Sequence, residues 1–206
     1  MFKTIDKNVE AEIVEKKSKF IANVFYVESV QEAEELIKKV KKQHNEARHN
    51  CFAFSVFTRE GVVDRFSDDG EPSGTAGSPM LNIITSKKIT NVLVVVTRYF
   101  GGILLGTGGL VRAYSDATIK ALEQTEYISK IIGYKVKLCV EYDSLEQLKY
   151  YANKSNIKIV NIDYLENIEV TVEMRKEILE QFTNNNSKKP LKILKYDILK
   201  EKYIDI

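Results

Sequence analysis

The sequence predicts an α+β protein of two domains, residues 1–128 and 129–206. Three observations carry that expectation. A buried-strand pattern, Val92-Leu93-Val94-Val95-Val96, leads through Arg98 into a glycine-rich turn and then into a helical pattern. After Glu126 a strand–helix pattern starts afresh. That second pattern reads β-α-β-β-α-β, the split order of a ferredoxin-like sandwich.

Taken in order, residues 10–14 and 19–27 read as strands. Ser29-Val30-Gln31-Glu32 is a capping box. The helix it opens runs to about His44, with Val30, Ala33, Leu36, Ile37 and Val40 on one face. Its lysine pairs, Lys38-Lys39 and Lys41-Lys42, read as a solvated surface. Residues 51–58 alternate as a strand, and Arg59-Glu60-Gly61 turns into another at 62–66. Residues 67–77 carry loop markers, and Ser73 or Thr75 is placed to cap a helix through Met80, Leu81, Ile83 and Ile84. The glycine turn follows the buried strand, and a helix spans residues 110–124. In the second domain, strands are expected at 131–140, 157–164, 168–173 and 191–199, with helices at 144–155 and 175–182. Residues 184–190 form a polar loop where proteolysis is expected, as it is near residue 128.

A net charge of +2 leaves no global basic field, so any nucleic-acid contact must come from a local patch. Nothing in the sequence signals a DNA-specific reader. Cys51 and Cys139 read as buried free thiols of a reducing compartment. With no apolar leader and no membrane-length apolar run, a soluble, cytoplasmic protein without membrane contact is expected.

Five glycines, Gly101, Gly102, Gly106, Gly108 and Gly109, crowd the turn before residue 110. Glycine tolerates positive φ and close approach. Exposed amides at a helix N-terminus bind anions. The alternative is a tight packing turn. The spacing is neither a Walker loop nor a dinucleotide fingerprint. Arg98, at the end of a buried strand, projects a guanidinium suited to two phosphate oxygens. Arg48 and Arg112 are further cations. Tyr99 and Phe100 can stack on a base. If Gly102 has positive φ, valine there should harm binding more than Arg98→Ala. His44, at a helix C-terminus, reads as structural. His49 is a general-base candidate with Asp68, Asp69 or Glu71, or else a loop histidine bonded to backbone. The acidic cluster could hold Mg²⁺, or cap the helix after it. A Cys51 nucleophile beside His49 is set aside, because neighbours on an extended segment are expected to face opposite ways. No catalytic residue, metal or cofactor is assigned.

Three motifs stand together: Arg48-His49-Asn50-Cys51-Phe52-Ala53, then Asp69-Gly70-Glu71-Pro72-Ser73-Gly74-Thr75-Ala76-Gly77, then Thr97-Arg98-Tyr99-Phe100-Gly101-Gly102-Ile103-Leu104-Leu105-Gly106-Thr107-Gly108-Gly109-Leu110. In combination they resemble the YigZ/IMPACT family over residues 10–125. The remainder is similar to the C-terminal domain of bacterial members in length and strand order. The resemblance implies an N-terminal domain of ribosomal-protein type with a left-handed βαβ unit, as in domain IV of elongation factor G and the GHMP kinases. It implies a C-terminal domain similar to domain V of elongation factor G. Eukaryotic members act in translational control, blocking a starvation-responsive kinase by competing for its activator. They carry a further N-terminal module not expected here, so that role is not carried over. The GHMP kinase phosphate loop is rich in serine and proline as well as glycine, and residues 104–109 depart from it. Fold analogy alone does not assign function.

The leading expectation is a non-enzymatic, translation-associated binding protein that contacts RNA or the ribosome. Its binding residues are Arg48, His49, Asn50, Asp68, Asp69, Glu71, Ser73, Thr75, Arg98, Tyr99, Gly101, Gly102, Gly106, Gly108, Gly109 and Arg112, converging on one face. One rival is an enzyme acting on a phosphorylated small molecule through His49 with Asp69 and Glu71. The other is a protein-binding regulator without nucleic-acid contact.

Overall fold

The computed structural model describes residues 1–183 and 192–205. Its contacts divide the chain into Phe2–Ile128 and Ser129–Ile206, the latter with Met1. The expected loop at 184–190 lies outside the described residues. Among the described residues no helix is long and apolar enough to cross a membrane.

The N-terminal unit contains β1 (Phe2–Ile5), β2 (Val9–Glu15), β3 (Ser18–Tyr26), α1 (Val30–Gln43), β4 (His49–Thr58), β5 (Gly61–Ser67), α2 (Gly77–Ser86), β6 (Val92–Tyr99) and α3 (Thr107–Leu122). Four-residue β1 has no counterpart in the sequence reading, since so short a run carries no periodicity. Strands β2-β3-β6-β4-β5 form an antiparallel sheet with β6 at its centre. Burial on both faces is why β6 is an unbroken apolar run rather than an alternating one. Leu93 and Val95 join Phe54 and Val56 against Ala33, Ile37 and Val40 of α1. Val92, Val94 and Val96 face the other way, onto Met80 and Ile84 of α2 and Tyr114, Ala117 and Ala121 of α3. The result is three layers, with α1 on one side of the sheet and α2 with α3 on the other.

Helix α1 begins as its capping box requires: Ser29 Oγ accepts the Glu32 amide at 3.1 Å. Helix α2 does not use Ser73 or Thr75. Its N-cap is Ala76, without a side-chain bond. Thr75 Oγ1 donates instead to the Pro72 carbonyl at 2.7 Å. Helix α3 starts three residues before the expected 110, which takes Gly108 and Gly109 out of the loop and into the first helical turn.

In the C-terminal unit, β7 (Tyr127–Val140), α4 (Leu145–Lys154), β8 (Lys158–Tyr164), β9 (Ile168–Arg175), α5 (Lys176–Thr183) and β10 (Lys195–Asp205) follow the β-α-β-β-α-β order. Strand β9 pairs antiparallel with β7 and β8, and β10 pairs antiparallel with β7. Leu148 and Ala152 of α4 and Leu179 and Phe182 of α5 cover Val136, Leu138, Val170 and Val172. Strand β10 runs to Asp205, beyond the expected end at 199. Its charged residues 200–202 look like a terminator in sequence. They are tolerated because the backbone keeps pairing with β7, past an irregularity between Ile198 and Lys200.

Candidate functional site

Strand alternation decides which side chains reach the α3 face of the N-terminal sheet. Phe20, Arg98 and His49 are cross-strand neighbours on β3, β6 and β4. They form one row, on the same face as Val96 and under the start of α3. A cavity of about 400 Å³ opens there, lined by Arg48, His49, Glu71, Pro72, Arg98, Phe100, Leu104, Leu105, Gly106, Thr107 and Leu110.

Thr97 and Tyr99 have the opposite parity and face the α1 side. Thr97 Oγ1 donates to Asn50 Oδ1 at 2.7 Å, so Asn50 is buried in a bond between strands and does not face the cavity. Tyr99 points away from the cavity, with its hydroxyl hydrogen-bonded to His44 Nδ1 at 2.9 Å on the α1 side. Phe100, half exposed at 50 %, is the aromatic ring at the cavity.

Arg98 is the main correction. Its guanidinium was expected to be open to phosphate. Instead its side chain is 7 % exposed and its Nη1 donates to Glu71 Oε1 at 2.8 Å, where Glu71 is 3 % exposed. Nη2 donates to Ser18 Oγ at 3.4 Å. The Phe20 and Phe100 ring centroids each lie 5.5 Å from the guanidinium carbon. The cause is the loop between β5 and α2, which folds over the end of β6 and delivers Glu71. Tyr114 completes the buried group by donating its hydroxyl to Glu71 Oε1 at 2.8 Å. Arg98 Nε has no hydrogen-bond partner among the described residues.

The three acidic residues diverge. Asp68 accepts the amides of Gly74, Ala76 and Gly77 at 2.8, 3.0 and 2.8 Å, taking the capping role for α2. Burial raises its carboxyl pKa, but those three amide bonds together outweigh burial and hold it below the ordinary value of 3.8. A depressed folded-state value contributes stability above the ordinary value and loses it as pH falls through the folded one. Asp68→Asn should therefore cost about 1–2 kcal/mol at neutral pH. The gap between variant and parent should close in unfolding curves taken well below pH 4, and a gap independent of pH would refute this account. Asp69, at φ +44, pairs with Lys41 at 2.6 Å and accepts the Asn50 amide at 2.7 Å. His49 Nδ1 meets the Asp69 backbone carbonyl at 2.9 Å, not a carboxylate, so Nδ1 carries the proton in this bond. Among the described residues no group of three His, Cys, Asp or Glu side chains could hold a metal ion.

His49 and Cys51 are two residues apart on β4 and therefore share a face, contrary to the expectation of opposite faces. The thiol is inert for another reason. Burial, with Glu71, Asp69 and Asp68 adding to it, pushes Cys51 up to about 12. Cys51 should resist iodoacetamide at pH 8 in the folded protein and react only on denaturation. Labelling at the native rate of an exposed thiol would contradict this.

Of the other expected residues, Ser73 is exposed on the β5–α2 loop. Gly101 donates its amide to Ser18 Oγ at 3.1 Å. Gly102 and Gly106 have φ of +83° and +71°. Gly109 and Arg112 line a second, smaller cavity of about 180 Å³ together with Lys16, Glu15 and Asp116. Leu105 lines both cavities. The sequence reading overlooked Pro72, Leu104, Leu105, Thr107, Leu110, Tyr114 and Ser18. One signal was available: Ile103-Leu104-Leu105 is an apolar run inside a glycine loop, where no helical or strand face requires it.

Residues 16–122 match the Impact N-terminal domain family, and residues 138–185 match a domain of unknown function, DUF1949. The chain is 39 % identical over 166 residues to IMPACT family member YvyE of Bacillus subtilis, covering 81 % of this chain and 76 % of that one. It is 39 % identical over 150 residues to IMPACT family member YigZ of Escherichia coli, covering 72 % and 74 %. A crystal structure described as that of a hypothetical protein is similar at 32 % identity with a TM-score of 0.66, covering 94 % of this chain and 96 % of that one.

Proposed function

This chain belongs to the IMPACT family, and on that premise we propose that it is a translation-associated regulatory protein acting in the cytoplasm. Its N-terminal domain contacts RNA, free or in the ribosome, through the start of α3 and the cations around it. The observation that carries this reading is the α3 N-terminus. It opens on the cavity at Gly106 and Thr107 and has no side-chain cap. The first-turn amides of Thr107, Gly108 and Gly109 have no intrahelical acceptor, and the helix adds roughly half a positive charge there. Arg48 is exposed beside them and makes no ion pair among the described residues. Phe100 offers a ring face on which a base can stack. Arg98 is already neutralised by Glu71, so among the described residues the freely available full positive charge at the cavity belongs to Arg48.

Arg48→Ala should weaken RNA binding by about 1.5–3 kcal/mol, the range of a charged hydrogen bond. It should also lower the salt slope by about one. Co-sedimentation of the full chain with ribosomes at low and high salt tests the reading directly. Release by salt supports it. Association that is insensitive to salt and unchanged in Arg48→Ala would refute phosphate contact. That outcome would favour protein docking on the apolar rim, where Leu104 is 83 % exposed.

A further inference from the structure

We propose that the cavity at the start of α3 takes a terminal phosphomonoester, the end group of a nucleotide or oligonucleotide, in preference to an internal phosphodiester. This rests on the RNA-contact reading and specifies what the site recognises. Three observations converge on it.

The first is an unmet donor. Arg98 is 93 % buried (7 % exposed) and lines the cavity. Nη1 and Nη2 are bonded to Glu71 and Ser18, while Nε has no partner among the described residues. A buried N–H without an acceptor is costly. Water does not reach Nε as the side chain stands, so a ligand oxygen relieves that cost once a small shift of the side chain bares it to the cavity.

The second is the number and origin of the donors. Arg98 Nε comes from the end of β6, the free amides from α3, and the Arg48 guanidinium from the residue before β4. A side-chain carbon added at Gly106 or Gly108 would meet nothing within 4 Å, so the backbone there is open to an approaching anion. A monoester presents three terminal oxygens to such a set. A diester within a chain presents only two.

The third is charge. The Glu71 carboxylate offsets Arg98, which leaves Arg48 and the helix terminus with roughly +1.5 in total. A monoester carries about −1.5 to −2 at neutral pH, and a diester carries one negative charge. The volume of about 400 Å³ lies within the range of small-molecule sites. The Pro72, Leu105 and Leu110 walls and the Phe100 ring give a nucleoside an apolar berth.

The test uses the full chain and one short single-stranded RNA prepared with a 5′-phosphate, a 3′-phosphate or neither, with AMP as competitor. Binding is read by fluorescence anisotropy, and each variant's thermal midpoint is recorded. One phosphorylated end should bind at least about tenfold tighter than the unphosphorylated RNA. Arg48→Ala should erase that preference without moving the midpoint. Displacement by AMP would support the end group as the unit recognised. Binding of AMP without binding of any RNA would keep the terminal phosphate but overturn RNA contact, leaving a phosphorylated small molecule as the ligand. Equal binding of all three RNAs, weakened equally by Arg48→Ala, would overturn this inference and keep RNA contact. If neither RNA nor AMP binds, both fall.

Discussion

Replacing Glu71 with alanine is expected to destabilise the N-terminal domain by about 3–5 kcal/mol, the usual cost of stranding one member of a buried ion pair. Arg98 would keep its charge at 7 % exposure with its acceptor gone. Tyr114 would lose the acceptor of its hydroxyl in the same step. Urea unfolding followed by circular dichroism measures the loss directly. Arg98→Ala should be similarly damaging, because it strands Glu71, so a binding defect in that variant does not report on phosphate contact. The double variant Glu71→Leu, Arg98→Met should recover much of the loss, since an apolar pair of similar volume replaces a buried ion pair at little cost. A Glu71→Ala loss below about 1 kcal/mol would mean that the guanidinium finds water, and the buried-pair account would then be wrong.

The second large effect is expected at Gly101. A Cβ there would lie 2.0 Å from the carbonyl carbon and oxygen of Lys17 and 2.4 Å from the Ser18 amide nitrogen. These are backbone atoms of the β2–β3 hairpin, so no rotamer change relieves the contact. Gly101→Ala must push the glycine loop off the hairpin. That breaks the Gly101 bond to Ser18 Oγ, the atom that also accepts from Arg98. The cost should reach about 3 kcal/mol or more, at or above the upper end for overpacking. Gly102→Ala is the control. Nothing lies within 4 Å of its added carbon, so only the φ of +83° opposes it, at about 1–2 kcal/mol. Thermal unfolding of the two variants side by side would settle the ranking, and equal losses would refute it. The sequence singles out Gly102, where valine is expected to harm binding through lost amide access and a forbidden φ, and it does not rank Gly101. Close approach of two backbones at Gly101 is invisible without the hairpin beside it.

Several parts of this molecule were legible in the sequence because they follow from local periodicity. The apolar run of β6 announced a buried strand. The Ser29 capping box placed the start of α1 within a residue. The fresh β-α-β-β-α-β pattern gave the ferredoxin-like order of the C-terminal unit. The three motifs pointed to the family and to the segments around the cavity: the start of β4, the β5–α2 loop, and the turn before α3.

Tertiary structure alone decided how those segments are used. Antiparallel register puts Phe20, Arg98 and His49 in one row. Strand parity sends Asn50 and Tyr99 to the α1 side, away from the cavity. The β5–α2 loop brings Glu71 onto Arg98 across 27 residues of sequence, turning an expected free cation into half of a buried pair. Pairing with β7 carries β10 through a charged run that looks like a terminator. The physical reason is common to all of these. Periodicity and capping are encoded by residues a few positions apart, so a reader of sequence meets both members of each interaction together. Which charge meets which, and which backbone touches which, depends on register and loop path, which are set by the sum of many contacts between residues distant in sequence.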